Sequence, residues 1–386
     1  MPTNLERELA ELADAGLLRR RRVSGSPCGP EMVIDGRSVL SFASNDYLGL
    51  ANHPDAIEAV ASSARRWGVG AGASHFLGGH FEPHHELEER LAAFVGAQRA
   101  LIFSTGYMAN LAIVPALVGR NDAVFADRLN HASLIDAVRL SDAKSHRYPH
   151  LDLEALESRL AASAAKGKLI LTDAVFSMDG DVAPLPELAS LAERFGAWLV
   201  VDDAHGFGVL GPQGRGTLAH SGLAPRGHVL LMGTLGKAAG VAGAFVAGDA
   251  NIVEWLVQKA RTAIYTTAAP PMLSAVLIES LKLIESGEER RAHLESLIAR
   301  LRAGIGLLGE RAGWRLPPSF TAIQPLIIGG ETMRVAEALL ARGIWAPAIR
   351  PPTVPEGTAR LRISLSAAHS GAQVDRLVAA LAEIAA

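Results

Sequence analysis

Between residues 100 and 247 the chain repeats one pattern: a short apolar run, a turn of small and polar residues, then apolar positions at helical spacing. The apolar runs are 100–103, 123–126, 169–172, 198–201, 229–232 and 243–247. They are almost wholly apolar rather than alternating, the mark of strands covered on both faces, and so of a mostly parallel α/β sheet. Helical patterns such as 108–117 and 185–195 separate most of them. The last two runs are joined by a short glycine-rich link, which predicts one antiparallel pair at an edge of the sheet.

Outside this region the pattern changes. Leu5, Leu9 and Leu12 recur at helical spacing. Residues 32–34 and 39–42 flank Asp35-Gly36, a pair suited to the positive φ of a tight turn, and predict a small hairpin. Pro270-Pro271 opens a long helical stretch, interrupted near Gly287 and running to about Arg311. Strands at 323–328, 344–349 and 359–365, with a helix at 332–341 and another at the end, predict a smaller α+β domain. The expected division is an N-terminal helix and hairpin segment (1–47), a large α/β domain (48–284) and the α+β domain (285–386).

Composition narrows the function classes. The 386 residues are 49% hydrophobic, ample for a large core, and the net charge of -3 offers no footprint for nucleic acid. Arg19 to Arg22 form the one local basic run, which reads either as a solvated segment or as an anion contact at the mouth of a site. A single cysteine, Cys28, excludes an intrachain disulfide and a cysteine-rich zinc site. The N-terminal segment is charged and amphipathic without the apolar core of a secretory signal, and 229–247 is too interrupted for a membrane span. A soluble, cytoplasmic protein is expected.

In doubly wound sheets, ligands sit beyond the carboxyl ends of the strands. Ser104-Thr105-Gly106-Tyr107 enters a helix there, and a glycine, a hydroxyl and free helix amides suit an anion. His131 follows the second run, and reads as a helix cap or as a stacking partner for a flat ring. Ser177 lies in an Asp/Gly turn after the third. Asp202 and His205 follow the fourth, suited to a loop cap or to a protonated ring nitrogen. The fifth is followed by Gly233-Thr234-Leu235-Gly236-Lys237, which sets a lysine in a small, apolar loop between core strands. Burial lowers the pKa of such an amine, which a Schiff-base lysine requires. Each feature alone also reads as an ordinary turn, cap or snorkelling side chain. Together they supply a phosphate cradle, a ring stacker, a ring-nitrogen carboxylate and a lysine, the parts that pyridoxal 5'-phosphate (PLP) needs.

These residues lie in motifs that resemble the α-oxoamine synthases, a family of PLP enzymes of fold type I. The stretches are SFASNDYLGL (41–50), NHASLIDA (130–137), VFSMDGD (175–181), VDDAHGFGVLGPQGRG (201–216) and TLGKAAGVAG (234–243). IQPLIIG (323–329) and IRPPTVPEGTARLR (349–362) look most like the biotin-pathway branch. The resemblance runs from about Leu18 to the end and implies an aspartate aminotransferase-like fold. It also implies a homodimer with the active site at the subunit interface, and decarboxylative condensation of L-alanine with a pimeloyl thioester of coenzyme A or an acyl carrier protein. Glycine-using siblings and PLP aminotransferases are the alternatives. Lys237 would carry the cofactor, Asp202 would pair with the pyridinium nitrogen, and His205 and Ser177 would face the phenolic oxygen. His131 would stack on the ring. Gly106, Tyr107 and Thr234 would lie at the phosphate, with Thr266 and Thr267 serving the partner subunit's phosphate site. Arg362 would bind the amino-acid carboxylate, and Arg19, Asn45 and Thr353 match other substrate-side positions. His80, His84 and His85 lack HExxH spacing, and no metal is expected.

Overall fold

The computed structural model describes residues 4–386, apart from the side chains at 307 and 309–311. A hairpin of β1 (Glu31–Ile34) and β2 (Arg37–Ser41) follows the N-terminal helix Leu5–Asp14. Asp35 and Gly36 between the strands have φ of 50° and 78°, the left-handed pair that a two-residue hairpin turn demands. The central sheet comprises β3 (Arg99–Phe103), β4 (Ala123–Asp127), β5 (Lys144–Tyr148), β6 (Lys168–Asp173), β7 (Trp198–Asp202), β8 (Val229–Thr234) and β9 (Ala244–Gly248). Its order is β3-β9-β8-β7-β6-β4-β5.

Both faces of this sheet are covered, as the all-apolar runs predict. Along β4, Ala123 and Phe125 face one core while Val124 and Ala126 face the other. On β7, Leu199 and Val201 are divided from Val200 in the same way.

Two expectations need correction. The antiparallel strand is not at the edge: β9 runs antiparallel to both β8 and β3, and β3 is the outer strand. All five residues of β9 are buried, which covers both of its faces; its place in the order is set by pairing with β3, which the length of the preceding link does not reveal. Strand β5, KSHRY, is the other edge and offers no apolar run to the sequence pattern; Tyr148 is its one buried residue.

The remaining strands are β10 (Ile323–Ile327), β11 (Ile344–Trp345), β12 (Ala348–Ile349) and β13 (Arg360–Ser364). The run expected as one strand over 344–349 is therefore split. β11 lies parallel to β2, whereas β12 pairs with β13. The break at Ala346-Pro347 lets one segment join two small sheets, and the Pro347 carbonyl accepts the Arg362 amide at 2.9 Å. The helices Pro271–Glu285 and Glu288–Ala312 meet at Gly287, as expected. Among the described residues, no helix is long and apolar enough to cross a membrane. Residues 1–3 of the expected N-terminal segment lie outside the described residues.

Candidate active site

The carboxyl ends of β6, β7 and β8 open onto a cavity of about 210 Å3. Gly106, Tyr107, His131 and Ser177 line it, together with Asp202, His205, Thr234 and Lys237. The sequence motifs scattered over 130 residues thus converge on one space, as the doubly wound rule requires.

Asp202 ends β7. One carboxylate oxygen accepts the Asn110 side-chain amide at 2.7 Å, the other the Ala204 amide at 3.0 Å. Asn110 also donates to Ser133 Oγ at 2.8 Å, and Ser133 Oγ lies 2.7 Å from His131 Nδ1. His131 serves its helix as well, capping Ala132–Leu140 by accepting the Ser133 amide. The Oδ1 of Asn110 is buried with no partner. Asn110 was missed as a site residue, although a lone amide in the otherwise apolar GYMANLAIVPAL was a signal of a buried polar task.

Asp173 was missed too. It ends β6 directly opposite Asp202 in the strand register, and its carboxylate accepts the His131 amide at 3.2 Å. Burial first, and then the charge of Asp202, push the Asp173 carboxyl well above the usual range.

Lys237 stands in the loop between β8 and β9. Gly240 in this loop has φ of 72°, and a Cβ there would meet the Ala51 amide nitrogen at 2.5 Å. The glycine allows the lysine loop to lie against Leu50 and Ala51, close in sequence to Tyr47. Lys237 Nζ is 2.8 Å from His205 Nε2, and His205 Nδ1 is 2.6 Å from the Tyr47 hydroxyl. Tyr47 donates to Asn45 Oδ1 at 3.1 Å, and Arg362 Nη1 donates to the same oxygen at 3.1 Å. This direction leaves the Tyr47 oxygen to accept from His205 Nδ1–H, so that the Nε2 lone pair faces the lysine. Burial, with help from the Lys237 charge, holds His205 well below its ordinary pKa, and burial brings Lys237 down to about 8 against the pull of Asp202. His131 is also lowered by burial, opposed by Asp202.

Arg360 and Arg362 project from the same face of β13, two residues apart. Arg362 Nε donates to the Ser177 carbonyl at 2.6 Å and Arg360 Nη1 to the Met178 carbonyl at 3.2 Å. The C-terminal sheet thereby braces the turn that carries Ser177. The other side of this turn is fastened by His150, held between Asp127 (3.0 Å) and Asp181 (2.7 Å). Burial works against the charged imidazole, yet the two carboxylates raise its pKa to about 10.

At the anion end, Thr105 caps the helix Gly106–Leu117 through the Met108 amide. The amides of Gly106 and Tyr107 make no hydrogen bond among the described residues and face the cavity end that holds Thr234.

Not every expected residue gathers here. Asn45 joins through the Tyr47 and Arg362 bonds, but Arg19 and Thr353 line a separate hollow of about 340 Å3 with Ile349 and Pro351. Thr266 and Thr267 do not line the Lys237 cavity of their own chain; Thr266 Oγ1 makes a long 3.5 Å contact to the Thr267 carbonyl. His80, His84 and His85 lie elsewhere, joined by His75.

The family model for aminotransferase class I and II matches residues 37–381. The 8-amino-7-oxononanoate synthase of Herminiimonas arsenicoxydans is 64% identical over 383 residues, 98% of each chain. The chain belongs to the 8-amino-7-oxononanoate synthase family. That of Aromatoleum aromaticum is 61% identical over 98% of this chain and 97% of its own. Among solved structures, serine palmitoyltransferase from S. paucimobilis superposes with a TM-score of 0.91 at 32% identity, covering 99% of this chain and 96% of that one. The 8-amino-7-oxononanoate synthase of Francisella tularensis gives 0.77 at 30% identity, covering 90% and 97%. Serine palmitoyltransferase has been solved with PLP bound. Membership in this family makes the chain a PLP-dependent acyltransferase of fold type I.

Proposed function

We propose that the protein condenses L-alanine with a pimeloyl thioester, releasing carbon dioxide and the thiol carrier and forming 8-amino-7-oxononanoate for biotin synthesis. The observation that carries this reading is the unbroken set of bonds from Lys237 through His205, Tyr47 and Asn45 to Arg362. It holds an amine and a carboxylate-binding guanidinium at a fixed separation, as an amino-acid substrate requires.

The residues fit PLP: free helix amides for a phosphate, a buried carboxylate fixed by an amide for a ring nitrogen, and a lysine of lowered pKa. PLP, when bound, supplies an electron sink for negative charge at the substrate's α-carbon. Lys237 is its attachment point and, once freed, the base for the α-proton. With a pKa of about 8, about a tenth of the lysine is neutral at pH 7. Asp202 keeps a ring nitrogen protonated, and Asn110 keeps Asp202 aimed. His131 would cover the ring face, His205 and Ser177 would face its oxygen, and Gly106, Tyr107 and Thr234 would hold the phosphate. Arg362 orients the alanine carboxylate with Asn45 behind it. Arg19 and Thr353 receive the acyl chain, and Thr266 and Thr267 complete the phosphate site of the partner in a homodimer. A cytoplasmic location accords with a single cysteine in 386 residues.

The test is thiol release by PLP-loaded protein, comparing L-alanine plus pimeloyl-CoA with glycine plus acetyl-CoA. Release with the first pair alone is expected. Release with the second pair alone would move the chain to a glycine-using branch and leave the cofactor site intact.

A further inference from the structure

Four histidines gather where the segment after residue 68 meets the start of the helix Glu82–Val95. His75 Nδ1 and His80 Nδ1 face each other at 2.9 Å, and the ring of His84 lies 5.0 Å from that of His75 and 5.7 Å from that of His80. One ring nitrogen from each of these three lies within 4.8 Å of the others. Two imidazole nitrogens pointed at one another satisfy only one hydrogen bond, because a single proton lies between two lone pairs. Such a pair answers better to a shared electrophile.

We propose that His75, His80 and His84 form a binding site for a divalent transition-metal ion of the zinc class. Tetrahedral zinc takes imidazole nitrogens at about 2.0–2.1 Å, which sets ligand nitrogens about 3.3 Å apart. The His75–His80 pair is near that spacing already, and His84 requires a shift on the order of 1 Å. The orientation of His84 is prepared. Its Nε2–H donates to the Ala269 carbonyl at 2.9 Å, the outer contact typical of a metal-bound histidine. Its Nδ1 accepts the Phe81 amide at 3.0 Å, and this is the bond an ion displaces. Burial, with repulsion among the rings, lowers the pKa of all three. His80 is exposed and gives the ion a route in, with the fourth position left to water. No HExxH spacing is needed, because the residues come from a turn and the helix that follows it rather than from one helix face.

The ion would fasten a turn to its neighbours. His84 ties the cluster to Ala269, and the Ala268 amide donates to the Ala73 carbonyl at 3.0 Å. The segments 73–80 and 266–270 are thereby held together, and a metal at their junction stiffens both.

Calorimetric titration of chelator-stripped, PLP-loaded protein with ZnCl2 tests the site, with cobalt(II) as a visible-absorption probe of four-coordinate geometry. The expected result is one Zn2+ per chain and a higher Tm with zinc. His75→Ala and His80→Ala should each weaken binding about tenfold or more, and His85→Ala should not. His84 is left intact because its loss also removes a helix cap, and circular dichroism with the PLP absorbance verifies the fold of each variant. Zinc uptake by the wild type no greater than by the His75→Ala/His80→Ala double variant overturns the proposal. So does a loss in His85→Ala equal to that in His75→Ala.

Discussion

In the Lys237 cavity nearly every polar side chain is already held by another, whereas in the hollow around Arg19 and Thr353 the side chains of Arg19, Arg350 and Thr353 make no hydrogen bond among the described residues. The first space is about 210 Å3 and the second about 340 Å3, framed by Leu12, Leu17, Ile349 and two prolines. The difference separates two tasks. Bond making needs groups fixed before the substrate arrives, because orientation lost there is lost from the rate. A long acyl chain needs apolar contact and a polar stop, and neither demands a built network. Substitutions in the first region should therefore act on kcat, and those in the second on KM for the thioester.

The sharpest break is Lys237→Ala. It removes attachment point and base together, so turnover should fall by about 10^4 or more, with loss of the visible absorbance of bound cofactor. Normal turnover by this variant would refute the assignment of the first region outright. Asp202→Asn keeps the shape and removes the charge, and kcat should fall about a hundredfold to a thousandfold. The pH profile adds a sign. Asp202 raises the Lys237 pKa, so without its charge the acid limb of any step that uses the free amine should move down. An upward move would mean that the limb belongs to another group.

Lys237 also allows a test in the cofactor-free protein. Its folded pKa of about 8 lies below the unfolded 10.5, so the folded chain binds fewer protons between these values. The cost is present in full below about pH 8 and fades as pH rises to 10.5. Lys237→Met should therefore raise stability at pH 7 by up to about 3 kcal/mol, and the gain should shrink toward pH 10 in urea melts. Arg362→Lys comes next. One charged contact to a carboxylate is worth about 1.5–3 kcal/mol, so kcat/KM for alanine should fall about tenfold to a hundredfold.

The contrast also explains what was legible in the sequence. Lys237, Asp202, His205 and His131 were visible because each follows an apolar run and the strand-end rule points at such positions. Tyr47, Asn110 and Asp173 were not assigned, for a different reason in each case. Tyr47 comes from outside the large sheet and meets the site through its hydroxyl on His205 Nδ1. Asn110 sits inside a helix, where position along the strand pattern says nothing. Asp173 gains its role from register with Asp202, a relation between strands that no single stretch encodes. The order of the sheet was illegible on the same ground: β3 and β5 are both edges, yet one carries an apolar run and the other reads KSHRY. Periodicity reports how many faces a strand buries, not which strands it meets.

The smallest effect is expected in the open hollow, and it decides whether that hollow belongs to the acyl chain at all. Arg19 and Thr353 line the same space, and neither lines the lysine cavity. Arg19→Ala removes a cation at a rim exposed to water, where a charged contact is worth at most about 1 kcal/mol. Thr353→Val removes a hydroxyl of similar worth. Each should raise KM for pimeloyl-CoA about twofold to fivefold while leaving kcat and KM for alanine in place. A matched fall in kcat from either substitution would show the two regions to be one, with the acyl end helping to align the reacting carbon. An unchanged KM would place the acyl chain elsewhere, and the apolar rim around Met333 and Trp345 would be the next surface to alter.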